Sequence, residues 1–370
     1  MNTPVRVLHV LTKLSFGGVQ TIIMNYYKSI DRRKVQFDFV VQNEGEEFYE
    51  CEVKSLGGEI YRVAPMHLDR KKFEKDLMNI LKSNSGYRII HVHQNFLNIV
   101  SLRVAKKAGV QVRISHSHSN YKATSLYKRF QRLVFKALIP LYATDYLSCS
   151  KASAEWLYGI KAARSSKCRI VHNAINTRKF ILDYEIRRKV REKLIINDRI
   201  VLIHVGMFAY SKNHEYLFEI VKQLVKLNKQ IVLLLVGDGE RKKLLLEMVE
   251  LMGIQEQVLF LGMQDNVQDL LMAADFFVFP SRYEGLPLTV IEAQISGLKC
   301  LISDVITPEV DLFNDIIFLS IKDSPEFWAK NIIDNLGNNK TRAFDDLVKS
   351  GYEISHEAKE LQKLYEQASN

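Results

Sequence analysis

Cysteine is scarce in this chain and forms no recognisable pattern. The four cysteines lie far apart, at Cys51, Cys149, Cys168 and Cys300, and no C-x-x-C pair occurs. Isolated cysteines argue against a zinc ribbon or a disulfide framework and suit a reducing compartment. We therefore expect a cytoplasmic protein.

Long hydrophobic runs are missing as well. No stretch approaches the ~18 uninterrupted apolar residues that a membrane-spanning helix needs. The opening VRVLHVL is too short and too charged for the apolar region of a secretory signal. With 47% hydrophobic and 25% charged residues, the composition is that of a globular protein. The length of 370 residues is enough for two domains.

Positive charge is concentrated in the first half. Residues 1–180 contain 30 Lys and Arg against 13 Asp and Glu, a net of +17, whereas residues 181–370 contain 22 against 29, a net of −7. The first half is therefore suited to meet anions, and nucleic acid, anionic lipid and phosphorylated substrates are candidate partners. Nucleic acid is the least favoured of these, because no recognition motif accompanies the charge.

Basic and apolar residues interleave at helical spacing in residues 121–140, YKATSLYKRFQRLVFKALIP. A helix with one basic and one apolar face is typical of attachment to a membrane surface. A solvated basic face on an ordinary packed helix explains the pattern equally well. Binding of residues 121–136 to an anionic membrane is thus one of two open interpretations.

Short apolar segments alternate with helical segments along the chain. The first half opens with VRVLHVL, a polar turn and the helix TIIMNYYKSI, and the second with RIVLIHVG, a polar turn and the helix HEYLFEIVKQLVKL. This alternation predicts two doubly wound α/β domains with parallel sheets, whose ligands bind at the carboxyl ends of the strands. We place the domains at residues 1–180 and 181–352, and an amphipathic helix at 353–370 that crosses back onto the first.

Two glycines follow the first predicted strand. SFGGVQT places Gly17 and Gly18 at the start of the first helix, where backbone N–H groups could approach an anion. A tight turn that needs positive φ explains the pair equally well.

Four histidines follow two further strands. HVHQN and SHSHS contain His91, His93, His116 and His118, and alternate strand residues point to one face of a sheet. Each H-x-H could bind a metal ion, contact a substrate or pack in the core. Because no carboxylate lies nearby to support metal ligands, we favour a substrate contact for His116 and expect no metal.

Lys212, in GMFAYSKNHEYL, precedes a helix that begins near Asn213. A lysine beside a helix N-terminus can hold a phosphate, because its charge adds to the helix dipole and the free N–H groups. A solvated lysine at a cap is the alternative.

The stretch FPSRYEGLPLTVIEAQISG carries two glutamates, Glu284 and Glu292. Ser281 and Glu284 fit a capping box, but a helix from there would include Pro287, whose ring clashes with the preceding turn. We therefore begin the helix at Pro287 and leave Glu284 in a loop, free to bind a ligand. Glu292 borders the apolar stripe of that helix, where a carboxylate without a partner is costly.

The motifs GGVQ, SHSHS, NAIN, SKN, LLLVGDGE and FVFPSRYEGLPLTVIEAQISG together resemble glycosyltransferase family 4, and the match covers nearly the whole chain. The strongest element is the E-x7-E spacing of Glu284 and Glu292. Within the family, the chain is most similar to bacterial exopolysaccharide and capsule enzymes. The resemblance implies a GT-B fold, with two Rossmann-like domains facing a cleft, and transfer of a hexosyl unit with retention of configuration.

The resemblance also implies roles for particular residues. The donor would be a nucleoside diphosphate sugar, with UDP as the favoured nucleotide. Glu284 would bind the hydroxyls of the donor sugar, Glu292 the ribose hydroxyls, and Lys212 the diphosphate. Gly285 and Leu286 of the same motif belong to the donor site. The donor is a substrate, so no cofactor is implied, and the acceptor would be a lipid-linked glycan.

In the first domain, the resemblance assigns the donor's approach to the backbone of Gly17 and Gly18, and a contact near the reacting carbon to His116. Together with Lys212 and Glu284, His116 completes the implied catalytic set.

One position departs from the family pattern. Where the family usually has Gly-Arg, this chain has Gly206 and Met207. Loss of that cation would cost ~2 to 4 kcal/mol of transition-state stabilisation, unless Arg282 or another group compensates. A non-catalytic nucleotide-sugar-binding partner and a nucleotide-sugar epimerase are therefore kept as alternatives to a working transferase.

Overall fold

A computed structural model describes residues 3–369, with the exception of residues 16, 44, 85, 119–125, 228–229 and 338–340. For residues 126–132 it describes the backbone but not the side chains. The chain divides into two compact units: residues 1–176 with 351–370, and residues 177–350.

The first unit contains a seven-stranded parallel sheet in the order β3-β2-β1-β4-β5-β6-β7. Its strands are β1 Val5–Val10, β2 Val35–Val41, β3 Ile60–Arg62, β4 Ile89–Val92, β5 Val112–Ser117, β6 Asp145–Ser148 and β7 Cys168–Ile170. Its helices are α1 Gly18–Ser29, α2 Glu50–Ser55, α3 Arg70–Ser83, α4 Asn98–Lys107, α5 Leu126–Tyr142, α6 Lys151–Tyr158 and α7 Ile160–Ala163, and the C-terminal α15 Ile354–Ser369.

The second unit contains a six-stranded parallel sheet in the order β10-β9-β8-β11-β12-β13. Its strands are β8 Ile200–Val205, β9 Ile231–Val236, β10 Val258–Gly262, β11 Phe276–Phe279, β12 Lys299–Ser303 and β13 Ile317–Leu319. Its helices are α8 Tyr184–Leu194, α9 His214–Lys226, α10 Lys242–Leu251, α11 Val267–Ala273, α12 Leu288–Ile295, α13 Pro325–Asp334 and α14 Phe344–Lys349.

Apolar strands covered by helices on both faces form the core of each unit. Every residue of β9, IVLLLV, is buried, as are all four residues of β11. Such runs without alternation are typical of parallel sheets with two covered faces. The predicted pair of doubly wound domains is therefore confirmed.

The C-terminal helix packs on the first unit, as the sequence predicts. Tyr365 of α15 is fully buried and meets the ring of Phe37 on β2 at right angles, with 5.8 Å between ring centroids. Alongside, Ile354 donates its backbone N–H to the carbonyl of Ile175, 2.9 Å away. The chain passes from one unit to the other near residue 175 and returns near residue 353. These two segments thus lie side by side in parallel.

One predicted helix boundary is wrong by a residue. Helix α12 begins at Leu288, and Pro287 is its N-cap with an extended ψ of 110° rather than its first helical residue. Glu284 lies in the loop before it, as predicted. None of the helices in the described ranges combines the length and apolar character that a membrane crossing requires.

Candidate active site

Both sheets have a point where the strand order reverses. In the second unit the chain runs from β8 outward to β9 and β10, then returns to β11 on the other side of β8. The connections that leave β8 and β11 therefore run in opposite directions along the sheet, and the carboxyl ends of two such strands are where α/β proteins bind ligands. We call this place the β8/β11 crevice. Lys212 follows β8, and Glu284 follows β11.

Lys212 and Glu284 meet across this crevice. The Lys212 Nζ donates to Glu284 Oε1 over 2.7 Å, and the two side chains are only 15% and 14% exposed. The same Nζ lies 4.5 Å from the centre of the Phe279 ring at the end of β11. The structure thus brings together two predicted site residues that are 72 positions apart in sequence.

The loop that carries Lys212 is held at both ends. Asn213 takes a left-handed conformation at φ 57° and caps α9. Its side-chain amide donates to the Pro280 carbonyl over 3.1 Å, and Arg282 donates its backbone N–H to the Ser211 carbonyl over 2.7 Å. These bonds join the β8 loop to the β11 loop. Lys212 therefore lies directly before the N-terminus of α9, where the helix dipole also favours an anion.

Two glycines allow the β9 loop to press against the β8 loop. A Cβ on Gly237, whose φ is +139°, would lie 2.0 Å from the Gly206 carbonyl oxygen, and a Cβ on Gly239 would lie 2.7 Å from that of Phe208. Only glycine permits such approaches. The VGDGE segment therefore fixes the backbone around Gly206 and Met207.

Arg282 lies beside the Lys212 loop, but its guanidinium is engaged there. It donates to the Tyr210 carbonyl over 2.7 Å and stacks on the Tyr210 ring at 4.1 Å. Glu215 lies 3.5 Å from it and also pairs with Arg241. Met207 is 64% exposed. Arg282 thus braces the loop that carries Lys212, and its compensation for Met207 stays a prediction.

Glu292 differs from Glu284 in having no partner. Among the described residues, no hydrogen bond or ion pair reaches its carboxyl group, which lies on α12 with limited access to solvent. Burial raises the pKa of Glu292 to about 7. An unpaired carboxyl group with a raised pKa is a candidate ligand-binding group.

In the first unit, the order reversal lies between β1 and β4, and histidines surround it. His9 on β1 pairs in register with His91 on β4. His9 Nδ1 faces His93 Nε2 at 2.9 Å, and His93 Nδ1 faces His118 Nε2 at 2.8 Å. The predicted grouping of the H-x-H histidines on one face is confirmed, with His9 as an additional member.

A second chain of bonds runs through the same cluster. The Tyr365 hydroxyl lies 2.7 Å from His91 Nδ1, and His91 Nε2 lies 3.0 Å from His116 Nδ1. Among the described residues, three buried nitrogens at the ends of these two chains have no hydrogen-bond partner: His9 Nε2, His116 Nε2 and His118 Nδ1. The histidine cluster, defined as His9, His91, His93, His116 and His118, is therefore incompletely bonded.

Burial keeps the histidine cluster neutral. It lowers the pKa of His9 and of His118 to about 3, and it lowers the pKa values of His91, His93 and His116 well below their usual range, with smaller contributions from neighbouring imidazoles. His116 is 4% exposed. A neutral imidazole at that position could accept or donate one hydrogen bond through Nε2.

The glycines after β1 lie where α1 begins. Gly17 is the N-cap with an extended φ of 172°, and Gly18 is the first helical residue. The interpretation that they serve a turn with positive φ is therefore wrong. A Cβ on Gly17 would lie 2.8 Å from Gln20 Oε1, whereas one on Gly18 would meet nothing within 4 Å.

The basic stretch 121–136 falls largely outside the described side chains. Helix α5 begins at Leu126, and beyond residue 132 Leu133 and Leu141 are 66% and 59% exposed. Lys136 instead donates to the Glu155 carbonyl over 2.9 Å. Part of this helix thus packs as an ordinary surface helix, and its membrane contact stays a prediction.

Sequence reasoning misses two residues of the histidine cluster and its surroundings, His9 and Tyr365. His9 is a histidine inside the apolar strand VRVLHV, and its neighbour in the sheet carries another histidine. Tyr365 lies in an amphipathic helix and is 274 positions away from His91. The first could be found by aligning polar residues in adjacent strands, but the second has no local signal.

Comparison with known proteins agrees with this geometry. The model described as Glycosyl transferases group 1 matches residues 186–351, and the one described as Glycosyltransferase Family 4 matches residues 16–179. A protein of Bacillus subtilis named as the glycosyltransferase EpsF is 33% identical over 332 residues, which cover 88% of this chain and 86% of the relative. The chain belongs to glycosyltransferase family 4.

Two further proteins are similar at lower identity. The UDP-Gal:α-D-GlcNAc-diphosphoundecaprenol α-1,3-galactosyltransferase of Escherichia coli is 24% identical over 324 residues, 82% of this chain and 80% of the relative. The structure of Anabaena HepE in complex with UDP and glucose superposes with a TM-score of 0.72 at 16% identity, covering 97% of this chain and 95% of HepE. The GT-B fold predicted from the sequence is therefore confirmed.

Proposed function

We propose that this glycosyltransferase moves a hexosyl unit from a UDP-sugar to a hydroxyl of a lipid-linked glycan, with retention of configuration, in the synthesis of exopolysaccharide, capsule or another cell-envelope polysaccharide. The observation that carries the proposal is the contact between Lys212 and Glu284 across the β8/β11 crevice. It places a cation and a carboxylate together at the N-terminus of α9.

The chemistry of this pair fits the two ends of a nucleotide sugar. A leaving diphosphate gains negative charge as its bond to the sugar breaks, and a preorganised ammonium group with a helix dipole stabilises that charge. Carboxylate oxygens accept several hydrogen bonds from sugar hydroxyls. On donor binding, Lys212 would turn its remaining N–H groups to the diphosphate while Glu284 takes the sugar hydroxyls.

In the single-step route to retention that we propose, the acceptor attacks on the same face from which the diphosphate leaves. The bond from the anomeric carbon to the phosphate oxygen breaks, and a bond to the acceptor oxygen forms. The acceptor proton passes to the leaving phosphate oxygen. The contacts that the family resemblance assigns to His116, Gly17, Gly18, Gly285 and Leu286 stay predictions.

The similar proteins support the donor and acceptor classes. The name of the Escherichia coli relative contains both a UDP-linked donor and a diphosphoundecaprenol-linked acceptor, and HepE binds UDP and glucose. The reaction that we propose needs no cofactor or metal ion, since Lys212 and the α9 dipole supply positive charge at the leaving group.

We also propose that the protein works in the cytoplasm and reaches its lipid-linked acceptor through residues 121–136. Leu133 in this stretch and Leu141 further along α5 are exposed, and such apolar side chains could enter a lipid surface. Sedimentation with anionic vesicles at low and high salt checks this. Binding at low salt that weakens at high salt supports the proposal, and no binding at low salt contradicts it.

The function is tested with purified protein, a panel of UDP- and GDP-sugars and a diphosphate-lipid-linked sugar as acceptor. We expect UDP release that depends on the acceptor and, from an α-linked donor, an α-linked product by NMR. Glu284→Gln should lower the rate about 10- to 100-fold, since it removes a charged hydrogen-bond acceptor.

Glu360→Gln is the matched control. Glu360 also pairs with a lysine at 2.7 Å, but both partners are more than half exposed, at 62% and 52%. Equal losses in the two variants would contradict the site. Donor binding without turnover would instead indicate a binding partner, and an isomerised sugar formed without acceptor would indicate an epimerase.

A further inference from the structure

The histidine cluster offers nitrogen ligands that the proposed transfer reaction does not use. His9, His91 and His93 each place one ring nitrogen within 4.8 Å of the others. All three are buried, with exposures of 1%, 2% and 8%. Three neutral imidazoles that face one another inside a fold are an arrangement that binds metal ions.

The cluster also borders a small pocket. This pocket of about 20 Å³ lies among the histidines and is lined as well by apolar side chains that include Ile22, Phe37 and Leu361. A cavity of ~10 to 15 Å³ suffices for one water molecule. The space therefore fits one small ligand besides the three ring nitrogens.

We propose that His9, His91 and His93 form a binding site for a late first-row divalent metal ion such as Zn²⁺, with a water molecule as fourth ligand. His9, His91 and His93 have no role of their own in the proposed transfer reaction, although His91 is bonded to His116, for which a sugar contact is predicted. Tetrahedral zinc at ~2.0 to 2.1 Å from each nitrogen separates the nitrogens by about 3.3 Å. His9 Nδ1 and His93 Nε2 are 2.9 Å apart, so they need to separate by only a few tenths of an ångström.

Outer hydrogen bonds already orient two of the three ligands, His93 and His91, whereas His9 Nε2 has no hydrogen-bond partner among the described residues. If His93 binds the metal through Nε2, its Nδ1–H donates to His118 Nε2 over the existing 2.8 Å. If His91 binds through Nε2, its Nδ1–H donates to the Tyr365 hydroxyl over 2.7 Å, and its bond to His116 is released. Metal-bound histidines almost always have such a partner on the second ring nitrogen.

The ligand atoms decide which metals fit. The described residues lining the cavity include no Asp or Glu, so magnesium and calcium, which need oxygen ligands, are excluded. Imidazole suits zinc, copper and nickel. Neutral ligands leave the ion's charge uncompensated, and deprotonation of the bound water would reduce it.

The triad His93, His116 and His118 also places its ring nitrogens within 4.8 Å. We assign the ion to the triad His9, His91 and His93, because only this triad includes His91, whose ring is hydrogen-bonded to Tyr365 on α15. Binding would thereby tie the C-terminal helix to the sheet. It should raise the melting temperature of the protein.

The test uses the full chain, stripped with a chelator and dialysed against micromolar Zn²⁺ or Mg²⁺. We expect about one zinc per chain by metal mass spectrometry, a higher melting temperature with zinc, and neither effect with magnesium. His9→Phe keeps the aromatic packing against Phe37 and should lose the zinc. His67→Phe, at an exposed histidine outside the cluster, should retain it.

Cobalt provides a readout that does not depend on a variant. Co²⁺ bound to wild-type protein by three nitrogens and a water should give the intense visible absorption of four-coordinate cobalt. No retained zinc, equal zinc in wild type and His9→Phe, or a weak six-coordinate cobalt spectrum would each overturn the assignment.

Discussion

The two points of strand-order reversal in this molecule are similar in backbone and opposite in chemistry. At β1/β4, His9 Nδ1 faces His93 Nε2 at 2.9 Å in a buried and neutral cluster. At β8/β11, Lys212 Nζ faces Glu284 Oε1 at 2.7 Å in a partly open ion pair. The doubly wound fold supplies the position in both units. The side chains placed there decide what each unit can bind.

Lowering the pH should produce the largest difference in stability between the two units. The five histidines of the first unit's cluster have lowered pKa values, whereas among the described residues of the second unit His204 and His214 do. A histidine in the unfolded chain has a pKa of about 6.5. Below that pH, unfolding lets these imidazoles bind protons, whereas in the folded unit they stay neutral. Each such histidine therefore costs about 1.4 kcal/mol of stability per pH unit.

The first unit should consequently unfold first between about pH 6 and 4, in metal-free buffer. Trp156 and Trp328, the two tryptophans of the sequence, report separately, because each unit contains one. Urea unfolding of Trp328→Phe and Trp156→Phe by fluorescence gives the two pH profiles. Identical profiles would contradict the neutral cluster.

Tyr365→Phe probes the same cluster by removing one hydroxyl. The change leaves buried His91 Nδ1 without its partner, so the free energy of unfolding should fall by about 1 to 3 kcal/mol. Tyr184→Phe, at a tyrosine that is 69% exposed, should change it little. Urea unfolding measures both, and equal stability of the two variants would contradict the bond.

Met207→Arg adds a positive charge to the loop of the second unit that carries Lys212. Met207 is 64% exposed after β8, and the Arg282 guanidinium donates to the Tyr210 carbonyl, so an arginine at position 207 would add a positive charge to the loop that carries Lys212. We expect the rate of nucleotide release to rise about tenfold, less than for a buried donor because solvent screens the charge. An unchanged rate would show that another group already compensates.

Glu292 should couple nucleotide binding to a proton. Because its pKa is raised to about 7, the carboxyl group is about half protonated at pH 7, and ribose hydroxyls donating to it favour the ionised form. UDP binding should release up to about half a proton at pH 7, measured by calorimetry in buffers of different ionisation enthalpy. Glu292→Gln should release correspondingly less, because only the terminal phosphate of UDP then loses protons, and an equal release from both proteins would remove Glu292 from the site.

The sequence predicts the parts of this molecule that depend on local pattern. The apolar strands, the helix after Lys212, the loop position of Glu284 and the grouping of the H-x-H histidines all follow from residue spacing. The helix boundary at Pro287 is missed by one residue, because proline is compatible with both the cap and the first helical position.

Direct bonds between distant residues are the part that the sequence does not predict, although the family resemblance implies that Lys212 and Glu284 bind the same donor. The ion pair of Lys212 with Glu284 joins residues 72 positions apart, and the bond of Tyr365 to His91 joins residues 274 apart. Both depend on strand order and on how a terminal helix packs, and neither leaves a periodic trace. The position of Arg282 against Tyr210 is set by the same long-range packing.

The most direct test of the account compares Lys212→Met with Lys363→Met in acceptor-dependent UDP release. Both lysines pair with a glutamate at 2.7 Å, but only Lys212 lies at the β8/β11 crevice beside a helix N-terminus. We predict that Lys212→Met lowers turnover by about 100- to 1000-fold, as loss of a preorganised charge at a leaving group does, and that Lys363→Met leaves it unchanged. Full turnover in Lys212→Met would contradict the assignment of the diphosphate to this crevice.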